Sequence, residues 1–183
     1  MIRYAPLFAL LLLSACRLAN PEMASPELAS AVPAELPGYE KDLVFQAGRI
    51  TFAGQPDEQA LRDAAENGVV AVISLRTDRE SPSIGFDEPA LVRDLGMEFV
   101  SIPMTPSSFN IKDVDRLEQI LTEYRGPVIL HCRSANRVGA IWAAYLTRHV
   151  GVEKETALQL GRAAGLVKPV MVEATERVID SDD

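Results

Sequence analysis

Cys132 and Arg137 are separated by Arg133, Ser134, Ala135 and Asn136, and the four residues before Cys132 are Val128-Ile129-Leu130-His131. An apolar strand thus delivers a cysteine into a short polar loop that opens onto a helix. Loop amides pointing inward, together with the positive end of that helix, form a nest for a tetrahedral oxyanion. The same field favours a thiolate: cysteines at helix N-termini or beside cations fall from about 8.5 to roughly 3.5–7.5. On this reading Cys132 is largely ionised near neutrality. Arg137 adds a planar fork that can grip two oxygens of a phosphate, sulfate or thiosulfate group. A buried packing cysteine needs neither the polar loop after it nor an arginine at the loop's far end. The pattern predicts a nucleophile, Cys132, with Arg137 and the backbone of Arg133, Ser134, Ala135 and Asn136 as anion clamp.

These residues resemble the active-site loop of cysteine-dependent phosphatases of the tyrosine and dual-specificity type, which read His-Cys, five residues, Arg, then Ser or Thr. Here the loop is one residue shorter, Ala135 stands where that pattern has Gly, and Val138 replaces the hydroxyl residue. The four-residue gap is similar to rhodanese-type sulfurtransferase loops. More of the chain, from about Phe52 to Leu166, resembles the small bacterial phosphatase-like family called beta-lactamase-hydrolase-like. That likeness includes Ala53-Gly54-Gln55-Pro56, Val72-Ile73-Ser74-Leu75-Arg76, Asn136-Arg137-Val138-Gly139-Ala140 and Gly161-Arg162-Ala163-Ala164-Gly165-Leu166. The resemblance implies a dual-specificity-phosphatase-like three-layer α/β fold around a mostly parallel sheet. It also implies phosphomonoester hydrolysis through a phosphocysteine, and a His131 that supports the loop rather than attacking.

The strand and helix pattern agrees with such a sheet. Ile50 to Ala53, Val69 to Leu75, Glu98 to Ile102 and Val128 to His131 read as strands. Between and after them, Glu58 to Glu66, Pro89 to Leu95, Lys112 to Tyr124 and Asn136 to Val150 read as helices. Val114, Leu117, Ile120 and Leu121 make the apolar face of the third helix. Crossovers of this length imply parallel strands covered on both faces, with the ligand site at their carboxyl ends. Cys132 falls at such an end. Trp142 and Tyr145 read as core, His149 as surface, and Arg76 and Arg133 as a positive rim or solvated charges.

A proton donor is harder to find. Dual-specificity enzymes place an Asp shortly after a strand like Phe99-Val100-Ser101-Ile102-Pro103, where this chain has Met104-Thr105-Pro106. Asp113 and Asp115 follow, as candidate general acids or as helix N-terminal charges. Sulfur transfer through a Cys132 persulfide needs no acid and is the alternative reaction; a third reading is a lipoprotein that binds an anion or peptide without turnover.

The first residues concern address. Arg3 followed by the apolar run Ala5 to Leu13 is too short for a membrane span but suits a secretory signal, and Leu13-Ser14-Ala15-Cys16 resembles a bacterial lipobox. Cleavage before Cys16 and its lipidation are expected, giving a membrane-anchored protein facing the periplasm. The expected organisation is a signal over 1–15, a Pro- and Ala-rich tether over 16–39, one catalytic domain over 40–172, and an acidic tail over 173–183. With Cys16 acylated, the other of the two cysteines has no intramolecular partner. Net charge is −8, and the leader holds only Arg3, so the remainder carries −9 without a basic cluster. Nucleic acid is an unsuitable partner. Two His, one free Cys and no metal-spaced cluster argue against a metal site, and no cofactor is implied. The expected partners are a phosphorylated or sulfur-donor substrate and, through the lipid, the membrane.

Overall fold

A computed structural model describes residues 30–181. The leader, Cys16 and most of the tether lie outside the described residues. Six strands form one sheet: β1 (Val32–Pro33), β2 (Val44–Ala47), β3 (Ile50–Ala53), β4 (Ala71–Ser74), β5 (Glu98–Ser101) and β6 (Val128–His131), in the order β1-β2-β3-β6-β4-β5. The β1–β2 and β2–β3 pairs are antiparallel, whereas β3–β6, β6–β4 and β4–β5 are parallel. The helices are α1 (Glu58–Glu66), α2 (Glu88–Asp94), α3 (Ile111–Glu123), α4 (Asn136–Tyr145), α5 (Lys154–Ala163) and α6 (Pro169–Ile179).

Alternation along the strands divides the core. Val72 and Ile129 face α1 and α2, packing with Leu61, Ala64 and Val92, while Ile73, Val128 and Leu130 face α3 to α6. The chain crosses one face from β3 to β4 to β5 through α1 and α2, then returns over the other face through α3. Right-handed crossovers require that change of face when the direction reverses. The return inserts β6 between β3 and β4, so its carboxyl end lies at the middle of the sheet. There the chain enters α4, which is apolar almost all round and correspondingly buried. Trp142 packs on Phe52 with ring centroids 4.9 Å apart and stacks on Tyr145 at 5.2 Å.

The three layers agree with the expected architecture, but the folded region is longer than residues 40–172. β1 pairs with edge strand β2, and Tyr39 is buried against Val44, Ala53 and Ala60, so the end of the presumed tether belongs to the fold. At the other terminus α6 runs into the presumed tail and buries Ala174, Thr175 and Val178. Two further helices that the strand and helix pattern did not predict, α5 and α6, pack on α4. Among the described residues no helix is long and apolar enough to cross a membrane.

Candidate active site

The loop after β6 is held from both sides. The Cys132 amide donates to the Ala53 carbonyl (3.3 Å), the Gln55 amide to the Arg133 carbonyl (3.4 Å), and Gly54 bridges Ser134. Ala135 turns the chain into α4 with a left-handed φ of 55°. That conformation costs a non-glycine residue about 1–3 kcal/mol, and such strain persists where surroundings over-determine it. The first helical hydrogen bond runs from the Gly139 amide to the Ala135 carbonyl (3.0 Å). The amides of Ala135, Asn136, Arg137 and Val138 therefore have no acceptor within the helix. The Asn136 side chain turns away and accepts from the amides of Val167 and Lys168 (both 2.8 Å), tying the α5–α6 connection to the loop. Asn136 contributes backbone, not an amide side chain, to the anion nest.

Cys132 is 1% exposed at the base of this loop. Arg137 reaches across it. Its Nη1 donates to the carbonyls of Leu75 (3.0 Å) and Met104 (3.1 Å), and Nη1 and Nη2 together fork the two carboxylate oxygens of Glu80 (each 2.8 Å). Interaction with Glu80 and with the Cys132 side chain raises the pKa of the guanidinium against its partial burial. Glu80 takes the Nη1–Nη2 end of the fork, and Nε donates to no oxygen among the described residues. The Arg137 hydrogen bond holds the Glu80 carboxyl well below its usual range, at about 2, helped by the Thr77 amide. Glu80 was not singled out in the sequence. Its spacing from Arg76 gives no periodic signal, and its partner Arg137 lies 57 residues further along the chain.

Behind the loop lies a buried polar set. His131 is fully buried, and burial lowers its pKa against the opposing pull of Glu88. Its Nε2 lies 3.3 Å from Glu88 Oε1, but neither ring nitrogen has an aligned hydrogen-bond partner among the described residues. Glu88 accepts from Gln55 Nε2 at 2.7 Å, and Arg76 Nη1 donates to Gln55 Oε1 at 2.9 Å. Arg76 is only 5% exposed, so it is neither rim nor solvated charge. The hydrophobic strand before it carries it under the segment 77–83. Arg133 alone fits the expected rim, exposed and 3.2 Å from Glu40.

The two candidate acids do other work. Asp113 closes a capping box on α3, accepting from the amide (3.0 Å) and side chain (3.2 Å) of Asn110. Burial raises its pKa, yet its oxygen is committed to the cap. Asp115 pairs with Arg148 (2.8 Å) and half-buried His149 (3.0 Å). At about 1.5 Å per residue, that contact is roughly 18 Å along the helical path from Asn136. The segment 103–110 contains no carboxylate. It is fixed by Arg177, whose Nη2 donates to the carbonyls of Pro106 (2.9 Å) and Phe109 (3.2 Å), and by mutual hydrogen bonds of Thr105, Ser107 and Ser108. Among the described residues no cluster of metal-ligating side chains occurs.

Comparisons with known proteins agree with this geometry. A beta-lactamase hydrolase-like protein of Xylella fastidiosa (strain Temecula1 / ATCC 700964) is 27% identical over 119 residues, covering 64% of this chain. One from Agrobacterium fabrum is 29% identical over 91 residues. The chain spans only about a quarter of such relatives, 28% in the first case. Among solved structures, P. aeruginosa TpbA superposes with a TM-score of 0.64 at 21% identity, over 85% of this chain and 91% of that one. A TpbA variant in complex with pTyr gives 0.60 at 18% identity, over 82% and 93%. These likenesses show a shared fold. Residues 42–148 match the family described as "Beta-lactamase hydrolase-like protein, phosphatase-like domain", and the chain belongs to that family.

Proposed function

We propose that this domain hydrolyses phosphomonoesters of phenols, phosphotyrosine in a protein being the natural form. The observation that carries the reading is the orientation of Arg137. With its Nη1–Nη2 end forked by Glu80, Arg137 keeps Nε for an anion, and the amides of Ala135 to Val138, which follow Cys132 in the loop, have no acceptor within the helix. Cys132 Sγ attacks phosphorus, the S–P bond forms as the ester P–O bond breaks, and a water then cleaves S–P to release inorganic phosphate. Arg137 and the amides stabilise the equatorial oxygens, where charge must be accommodated. The fixed, acid-free segment 103–110 favours phenolic esters, because a phenolate leaves without a positioned proton donor and takes its proton from water. The pTyr found in the TpbA complex supports the same substrate class. For its address, the lipobox-like Leu13-Ser14-Ala15-Cys16 supports a lipid-anchored protein facing the periplasm.

Intact-mass spectra of acid-quenched protein test the chemistry. An aryl phosphate should add a phosphoryl group to the wild type but not to Cys132→Ser, with alkyl phosphates turned over slowly. A persulfide formed from thiosulfate and discharged by cyanide as thiocyanate, without aryl phosphate turnover, would replace this reading by sulfur transfer. The short loop and the missing acid favour that second reaction. Intact anion binding with neither adduct would identify a non-catalytic binding protein.

A further inference from the structure

Arg76 is a buried cation with no carboxylate hydrogen-bonded to it among the described residues. Its Nη1 donates to Gln55 Oε1 (2.9 Å), and its Nη2 donates to the Glu80 carbonyl (2.9 Å) and Ser83 Oγ (2.7 Å). Ser83 Oγ in turn donates to the same Glu80 carbonyl at 2.7 Å. Charge balance comes through the amide of Gln55, which accepts from Arg76 at one end and donates to buried Glu88 at the other. For stability alone, well-packed apolar residues usually serve as well as such buried charges or better. What this set fixes is the position of the segment 77–83, and therefore of the Glu80 side chain that forks Arg137.

Resting on the reading of Arg137 as the anion clamp, we infer that Arg76 is a positioning residue for the reaction. It acts through Glu80, and Gln55 and Glu88 hold it in place. The path is continuous: Glu88, Gln55, Arg76, the Glu80 backbone, the Glu80 carboxylate, Arg137. It begins 3.3 Å from His131, the neighbour of the nucleophile, and ends at the guanidinium of Arg137, so one largely buried network reaches both ends of the loop. None of its four supporting side chains needs to touch substrate. A fork spanning two sides is required, which lysine cannot supply with a single nitrogen.

A double-mutant cycle tests this with Arg76→Lys and Glu80→Gln, reading orthovanadate affinity by calorimetry, kcat and KM for an aryl phosphate, and the thermal midpoint. Arg76→Lys should weaken vanadate binding and lower kcat/KM by about tenfold, as expected when a contact group is misplaced by a fraction of an ångström. In the Glu80→Gln background the same change should add less than about twofold, since residues acting through one another are not additive. Equal losses in both backgrounds, or wild-type vanadate affinity in a folded Arg76→Lys, would overturn the inference. If Arg76→Lys does not fold, Ser83→Ala removes one contact of Nη2 while Arg76 stays in place. It should weaken vanadate binding in the wild-type background and not beside Glu80→Gln; no change in the former overturns the inference. A folded wild type that binds no vanadate refutes the clamp itself, and the same titration reads that outcome separately.

Discussion

At the scale of single residues, Glu80 is the carboxylate that forks Arg137. Its folded pKa lies near 2, below the usual 4.5, because of Arg137. A carboxyl depressed in the native state stabilises the fold above its unfolded pKa, and that contribution is lost as pH falls through the folded value. Glu80→Gln should therefore lower the thermal midpoint at pH 7, by an amount tempered by partial solvent exposure. The difference from wild type should shrink progressively from about pH 4.5 toward 2, because protonated glutamate pairs with Arg137 no better than glutamine does. Melting curves across that range check this; a gap independent of pH would mean that the pair contributes no charge-dependent stability. At neutral pH the variant should also lose phosphate affinity, since Arg137 then has no anchor at its far end. Buried His131 acts in the same acid direction: held neutral in the fold, it costs stability once the unfolded chain protonates below roughly 6.5.

At the scale of elements, the loop is placed by a close helix crossing. A Cβ built on Gly161 of α5 would lie 2.6 Å from the Gly139 carbonyl oxygen of α4 and 2.8 Å from Ala143 Cβ, both inside normal contact. Backbone cannot yield as a flexible side chain can. Gly161→Ala should thus push α5 from α4 and destabilise the domain by about 1–3 kcal/mol, measured by denaturant unfolding. It should also slow catalysis, because the connection after α5 is bonded to Asn136. A variant of unchanged stability would contradict the crossing. Gly161 and Gly165 were legible in the sequence only as part of a family pattern; the crossing supplies the physical reason for Gly161, and a φ of +104° against Ala135 supplies that for Gly165. The strands Ile50–Ala53 and Val128–His131 and the helix Glu58–Glu66 agree residue for residue with the pattern of apolar runs and caps. Strands β1 and β2 were not legible, being short and stabilised by pairing rather than by composition. Nor were the roles of Arg76, Glu80 and Glu88. A charged residue reads as solvated unless its partners are known, and Gln55 for Arg76 and Glu88, and Arg137 for Glu80, lie 21 to 57 residues away.

At the scale of the molecule, the described domain and the address of the chain are separate questions. If Cys16 is lipidated, radiolabelled palmitate should enter the wild type and not Cys16→Ser; equal labelling of both, or none in the wild type, would refute the anchor. A lipidated chain would stand near a membrane surface, and the −9 that remains once the leader with Arg3 is removed disfavours an anionic one. The last helix bears on a different matter, which is how the domain can be moved between proteins. The family match stops at residue 148, yet Arg177 of α6 ties down the segment 103–110, and α5 and α6 cover the apolar α4. A transferable unit must therefore continue to Ile179. Cut at the end of the match, it would carry Cys132 and Arg137 but expose the face of α4 that α5 and α6 cover and release the Arg177 contacts to Pro106 and Phe109. Fusions or swaps with the longer relatives should take their junction after α6, where the chain leaves the fold.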